Sequence, residues 1–406
     1  MVESPAEADD ARSRHRWLVV GVLVLSTALS FVDRQVLAAL APELQEQFGL
    51  SNYGFGWVLS AFSLAYAVFA PVAGLLVDRV GLTIGLSTAV TLWSIAGMAT
   101  GFAGGLGSLL TCRAALGVAE SAGIPATAKG FALYLKPHER AMGTALNQVG
   151  ITLGMMAAPL LVGWLAVSYG WRAAFVATGV AGLAWIPLWL LTVRRVPVPA
   201  ATGSRAGAAT LARDWRLWAL AAANVLMMTV YSLWMNWTTI FLMSVHGLSM
   251  AEANLQFAWI PPVFASLGGL SGGWLSMRWA RAGAGLYAAR LRVCVIAAVA
   301  LTTTALVPFV PGAALATALI SVSFFMAVAM SVNIYAMPLD LFGARRAAFA
   351  VSVLTASYGL MQALVSPRIG SVIDHLGFGP VCVVFGLLPL ASLVLLALVG
   401  RSGRTE

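Results

Sequence analysis

The sequence predicts an all-α membrane protein with twelve transmembrane helices in two pseudo-symmetric six-helix bundles. Three observations carry this expectation. Apolar residues fill 60% of the 406 positions and charged residues only 10%, with a mean hydropathy of +0.88. A water-soluble domain carries roughly 25% charge, so lipid must be the solvent for much of this surface. Apolar stretches recur at lengths near the ~20 residues that a spanning helix needs, whereas a transmembrane barrel would show alternating segments of about ten. Finally, short patterns in the first half return in the second at a nearly fixed offset.

The chain divides in order as follows. Residues 1–16 form a polar tail that turns basic at Arg12, Arg14 and Arg16. The apolar run after them continues for a full span, unlike the short core of a cleaved leader, and is read as a retained first helix. Spans are expected at 17–40, 53–77, 84–103, 107–130, 141–167 and 172–193, which make a first bundle over 17–193. The stretch 194–215, rich in Ala, Gly, Pro and Arg, reads as a linker. A second bundle over 216–399 holds spans at 216–243, 252–275, 288–309, 312–337, 347–369 and 377–399, before a tail at 400–406.

Charge placement sets the expected orientation. The net charge of +9 is spread over short connections rather than concentrated on one soluble face, which argues against nucleic acid. With the N-terminus in the cytoplasm, all 24 Lys and Arg fall in inside segments except Arg34, Arg113, Lys129, Arg172 and Arg368. An even number of spans then returns the C-terminus to the same side, so both termini are expected to be cytoplasmic, in a bacterial inner membrane. Cys112, Cys294 and Cys382 show no metal-ligand or disulfide spacing.

The repeat is readable residue by residue. Gly49-Leu50-Ser51 precedes the second span and Gly247-Leu248-Ser249 the eighth. Gly74 and Arg79 match Gly273 and Arg278, and Arg140, Pro159, Gly163 and Gly170 match Arg346, Pro367, Gly370 and Gly377. Repeats of this kind are a recurring transporter plan, with a substrate site near the membrane midplane and motion by alternating access.

Charge at bilayer depth is costly and persists mainly for function or pairing. Of the 15 acidic residues only Asp33 and Glu120 lie well inside a span, and Arg34 and Arg113 are the matching buried cations. Arg113 and Glu120 are two helical turns apart on one stripe, with Gly117 between them. Asp33 and Arg34 diverge by about 100° on their helix, so Asp33 is expected to face Arg113 while Arg34 points into a cavity. A static clip between the first and fourth spans is the competing reading for Asp33 and Arg113. Desolvation disfavours a charged carboxylate, which suits a residue that loads and releases a proton. His15, His138, His246 and His375 all fall in loops or tails, so Glu120, with Asp33 and Arg113, is the expected proton-coupling group. The planar fork of an arginine matches a carboxylate. Arg34 is therefore the expected anchor of an anionic substrate, and Arg34→Ala should abolish binding in an intact fold.

Further candidate substrate contacts are Tyr66, Gln148, Tyr231, Trp234, Asn236, Trp237, Ser357 and Tyr358. Each aromatic taken singly is as readily a packing residue; together they could offer hydroxyl, indole and amide groups to a polyol. The runs Gly268-Gly269 and Gly272-Gly273 let helices approach closely and carry no chemistry.

Several of these motifs resemble the major facilitator superfamily. Gly74-Leu-Leu-Val-Asp78-Arg79-Val-Gly81 is similar to its loop signature, Arg113-Ala-Ala-Leu-Gly117-Val-Ala-Glu120 to its fourth-span signature, and Gly154 with Pro159 to its fifth. Within it, Phe31-Val-Asp33-Arg34-Gln35, Ser60-Ala-Phe-Ser-Leu-Ala-Tyr66 and Trp259-Ile-Pro-Pro with Gly272-Gly-Trp-Leu-Ser276 resemble the anion:cation symporters, the hexuronate and galactonate transporters. That resemblance implies proton-coupled uptake of sugar acids, with Asp33 and Glu120 as proton-linked carboxylates, Arg34 as substrate arginine and Tyr66 beside the substrate. The expectation is a transporter of a small organic anion, and no enzyme. It needs no cofactor or metal, and its partners are the anion, a proton and membrane lipid, with no nucleic acid and no obligate protein partner. Transport or exchange of another anion (a monocarboxylate, dicarboxylate or sugar phosphate) and a non-transporting sensor on the same fold are the alternatives.

Overall fold

The structure, a computed structural model, describes residues 5–135, 140–195, 211–342 and 344–402, and the described residues are almost entirely helical. Most of the expected linker and the ends of both tails lie outside them, as do Lys136 and His138. In the first half the helices are α1 (Pro5–Ala39), α2 (Ala41–Phe48), α3 (Asn52–Val80), α4 (Leu82–Thr100), α5 (Leu106–Glu120), α6 (Gly123–Tyr134), α7 (Arg140–Tyr169) and α8 (Trp171–Arg195). In the second they are α9 (Trp215–His246), α10 (Ile260–Arg281), α11 (Leu286–Leu301, prolonged as 3₁₀ through Phe309), α12 (Ala313–Phe342), α13 (Ala344–Leu376) and α14 (Phe378–Ser402).

Among the described residues, nine helices are long and apolar enough to cross a membrane. The other three expected spans are present with a physical reason for falling short. The fourth is broken into α5 and α6 by a turn at Ser121–Ala122. Pro125 lacks an N–H, and its ring crowds the carbonyl four residues back, at Ser121. The eighth, α10, ends in Arg278 and Arg281 and is diluted by Gly and Ser. The eleventh, α13, opens with Arg345 and Arg346 and carries Arg368 and Asp374.

The internal repeat reappears in the backbone. Gly49 and Gly247 end their helices in the left-handed region, with φ of 61° and 68°, where only glycine is free of strain. Ser51 Oγ accepts from the Gly54 N–H and Ser249 Oγ from the Glu252 N–H, so each serine caps the turn that follows. Only in the second half does this lead into a π-helical turn, Ala253–Ala258.

The chain forms two compact units, one of Met1–Leu37 with Ala61–Gly203 and one of Ala38–Ser60 with Ser204–Glu406. Segment 38–60, within the first bundle by sequence, thus groups with the second. In the first unit a core around Trp93, Leu116, Trp185 and Trp189 fixes α1, α4, α5 and α8. Trp185 and Trp189 stack at 5.6 Å, and the Trp185 indole N–H donates to the Val22 carbonyl at 2.8 Å. Burying an aromatic of this size is worth about 1.5–3 kcal/mol each. Helix α7 crosses α1 closely, because a Cβ on Gly150 or Gly154 would overlap the backbone at Val24 or Ala28. Lys129, expected near the inner end of the fourth span, donates to the Val77 carbonyl at 3.0 Å and so satisfies the last turn of α3.

In the second unit the first half of α3 lies along α13. Ser60 Oγ donates to the Ala363 carbonyl at 2.5 Å, and Gly56 faces the backbone of Ser366 and Pro367. The Asp374 carboxylate accepts from the N–H groups of Asn52 and Tyr53 at 2.9 and 2.8 Å, and from Asn52 Nδ2 at 2.8 Å.

Candidate functional site

The intramembrane charges gather in the first unit. Asp33, Arg113 and Glu120 are 3%, 2% and 1% exposed, so all three are removed from solvent. Arg34 Nε lies 2.6 Å from Glu120 Oε2, and Ser30 Oγ donates to the same oxygen at 2.9 Å. Ser30 and Arg34 are four apart on α1 and therefore share a face. Glu120 reaches them because it closes α5 immediately before the break, where the helix has already bonded the Ser121 N–H to Gly117.

The Arg34 guanidinium is enclosed by three rings, with centroids at 4.9 Å for Phe31, 4.9 Å for Phe62 and 4.8 Å for Tyr66. Such cation–π contacts contribute about 0.5–2 kcal/mol each, most when desolvated. Phe62 and Tyr66 lie one turn apart on α3, their rings 5.8 Å apart. Arg34 binds Glu120 through Nε and also engages the Tyr66 hydroxyl. Its side chain keeps 17% exposure against none for Glu120, so of the two it is the one that an incoming acceptor can reach.

The expected approach of Asp33 to Arg113 stops short of a pair. Asp33 and Arg113 act on one another electrostatically, but they form no ion pair within 4 Å among the described residues. Both Asp33 oxygens and Arg113 Nε and Nη2 are buried without a hydrogen bond. Arg113 instead lies over the Phe175 ring at 5.6 Å. Arg34 bonds to α5 through Glu120, while Asp33 lies beside Gly97 of α4 and acts on Glu120 and Arg113 without pairing. Glu120 Oε1 is likewise buried and free of hydrogen bonds, so the cluster has unused acceptors on both carboxylates. Removing these charges from water costs several kcal/mol per ion.

The remaining candidates are spread out. Gln148 is half-buried on α7, next to Asn147, whose Oδ1 accepts from Thr27 at 2.8 Å. Six others lie in the second unit. Trp237 is wholly buried, edge-on to Phe55 at 5.7 Å, and Trp234 is buried against Phe241 at 5.3 Å. The Asn236 amide donates to the Ser232 carbonyl at 2.8 Å, and Ser357 Oγ to the Leu354 carbonyl at 2.8 Å. Tyr231 meets Phe324 edge-on at 5.3 Å. Tyr358 is half-buried on α13 in the same unit. The site also contains Ser30, Phe31 and Phe62, which were not among the candidates. Their spacing of three or four residues from Arg34 and Tyr66 is the signal that marks them.

Residues 23–365 match the family model described as Major Facilitator Superfamily. The chain is 28% identical over 398 residues to the hexuronate transporter of Escherichia coli (strain K12), covering 92% of this chain and 91% of that protein. It is 30% identical over 282 residues to the galacturonate transporter of Dickeya chrysanthemi, covering 64% and 81%. Among solved structures it resembles a bacterial homologue of the human lysosomal transporter Spinster, with a TM-score of 0.72, 22% identity and 95% of each chain covered. The chain belongs to the major facilitator superfamily, and its twelve spans form that fold.

Proposed function

We propose that this major facilitator superfamily member carries a sugar acid, of the hexuronate or aldonate kind, across the membrane together with protons. One observation carries the reading. Arg34 engages Glu120 through Nε, which leaves its terminal nitrogens for Tyr66 and a further acceptor inside an aromatic collar. A carboxylate on those nitrogens would form a charge-assisted pair of the strong kind, and the rings would line the face of a small polyol. The hexuronate and galacturonate transporters among its relatives fit that substrate class.

The coupling follows from charge balance. With Glu120 ionised, Arg34 is neutralised internally. A proton on Glu120 releases the cation, and an incoming anion restores its neutrality. Loading proton and anion together therefore keeps the buried charge constant, whereas either alone changes it by one unit at a depth where that is costly. Asp33, with both oxygens free of hydrogen bonds, is the second protonation site. Arg113 tunes it from a distance. Tyr66 contacts the substrate, and Gln148, Tyr231, Trp234, Asn236, Trp237, Ser357 and Tyr358 remain candidates for its remaining contacts. We further propose that both termini face the cytoplasm of a bacterial inner membrane, with a linker over 194–215 between bundles at 17–193 and 216–399, in line with the distribution of Lys and Arg. A sugar phosphate would call for more than one accessible cation, and Arg34 alone fills that description in the cluster.

The test is uptake of glucuronate, galacturonate and galactonate into proteoliposomes under an imposed proton gradient. Gradient-dependent accumulation of at least one is expected. Binding of none of them in a thermal-shift screen that does register a non-sugar anion would assign another substrate.

A further inference from the structure

The second unit carries an open groove of about 1150 Å³ that the proposed transport chemistry does not use. It lies at the end of the unit where α10 stops at Arg281, α11 begins at Leu286 and α14 runs out at Ser402. Helix spacing builds its walls. Leu291, Arg292, Val295 and Ile296 fall on one face of α11, and Ala397 and Arg401 on one face of α14. On each helix the arginine stands nearer the end of the span and the apolar residues lie deeper. Val295 and Ile296 are 43% and 48% exposed, as side chains facing lipid would be. Tyr287 fixes the floor, because its hydroxyl donates to the Leu396 carbonyl at 2.6 Å and its ring lies against Gly400.

The charge in this groove is uncompensated. Its one acidic lining residue, Asp340, is already held by Arg290, with Nε at 2.5 Å from Oδ2 and Nη2 at 3.3 Å from Oδ1. Arg292 and Arg401 are both exposed and meet no carboxylate among the described residues. A cationic mouth above a greasy trough suits a ligand with an anionic head and an apolar tail. Basic pockets between transmembrane helices bind lipid headgroups for this reason.

We propose that the groove seats an anionic phospholipid, its headgroup phosphate between Arg292 and Arg401 and an acyl chain along Val295 and Ile296. A zwitterionic lipid would place its own cation beside two arginines and is disfavoured. The proposal concerns the membrane-embedded chain alone and does not depend on what the protein transports.

Native mass spectrometry of the full-length protein in neutral detergent tests it, with dioleoylphosphatidylglycerol and dioleoylphosphatidylcholine as probes. The wild type should retain one phosphatidylglycerol at about tenfold lower lipid concentration than phosphatidylcholine. The Arg292→Gln/Arg401→Gln double variant should bind both lipids within twofold of each other, and the Arg292→Lys/Arg401→Lys variant should keep most of the preference. Water-soluble glycerol phosphate should fail to compete at millimolar concentration. Equal retention of the two lipids by the wild type would overturn the proposal, as would an unchanged preference in the glutamine variant. Full competition by glycerol phosphate would assign the groove to a free anion and also overturn it. Should the glutamine variant not fold, the wild-type preference and the competition decide alone.

Discussion

Arg34 holds Glu120 by a single nitrogen, Nε at 2.6 Å from Oε2, while Ser30 supports the same oxygen from one turn away on α1. The pair joins the first span to the end of α5, directly before the Pro125 break, and leaves Glu120 Oε1 without a hydrogen bond. Such an arrangement can exchange one partner for another without dismantling the helices around it.

Glu120→Gln is the first consequence to measure. Glutamine keeps an acceptor for Ser30 and Arg34 but cannot lose a proton. Substrate counterflow in proteoliposomes should persist, while accumulation driven by an inward proton gradient should fall at least about tenfold, the change that 1.4 kcal/mol of lost driving force represents. Unchanged gradient-driven accumulation would remove Glu120 from the coupling.

Arg34→Lys separates geometry from charge. Lysine keeps the cation but loses the planar fork and its stacking within Phe31, Phe62 and Tyr66. One lost hydrogen bond between charged groups costs about 1.5–3 kcal/mol, so sugar-acid affinity should drop about ten- to a hundredfold, with little change in Tm. Calorimetric titration with glucuronate reads the first and thermal unfolding the second. Arg34→Ala, which the sequence suggests would leave the fold intact, instead strands the buried Glu120 carboxylate. Breaking a buried pair in that way costs about 3–5 kcal/mol, so that variant confounds binding with stability.

The sequence reveals the membership of this cluster but not the distance at which each pair settles. Asp33, Arg34, Arg113 and Glu120 are conspicuous because charge inside a span is rare. Which cation meets which acid depends on how α1 is rotated against α5, and no one-dimensional spacing encodes that angle. Phe31 and Phe62 are recoverable from their three- and four-residue distances to Arg34 and Tyr66. The α5–α6 break has its signal in Pro125. The short helix Ala41–Phe48 has its signals in Pro42 and Gly49, whereas the π turn at Ala253–Ala258 has none, because it rests on tertiary partners. Asn254, inside that turn, donates to the Ala39 carbonyl at 3.0 Å and accepts from Thr239 at 2.9 Å.

Gly117 sets the distance between α3 and α5. A Cβ there would overlap the Phe62 carbonyl oxygen and lie 3.1 Å from the Tyr66 nitrogen, both of them backbone atoms that cannot swing aside. Gly117→Ala should cost about 1–3 kcal/mol by overpacking, and Gly117→Val more. Because Phe62 and Tyr66 enclose Arg34, sugar-acid affinity should fall with stability in this series. A Gly117→Val protein with wild-type Tm in detergent would show that the crossing is looser than these distances.

Asp374 controls a different junction. The first N–H groups of a helix have no partner within it, and those of Asn52 and Tyr53 at the start of α3 are satisfied by the Asp374 carboxylate at the end of α13. A negative charge there also complements the helix dipole. Gly370 faces the Asn52 carbonyl with no room for a side chain, so α13 and the start of α3 meet here, while Asp374 itself is exposed. Asp374→Ala should therefore cost about 1–2 kcal/mol, the usual value of a lost N-terminal cap. The loss should be local, with amide hydrogen exchange at residues 52–56 accelerating about five- to thirtyfold while α9 and α12 keep their protection. Asp374→Asn retains one acceptor oxygen and should recover part of that protection. Equal exchange at Asn52 and Tyr53 in all three proteins would mean that packing along Gly56, Ser60 and Gly370 holds the start of α3 without the carboxylate.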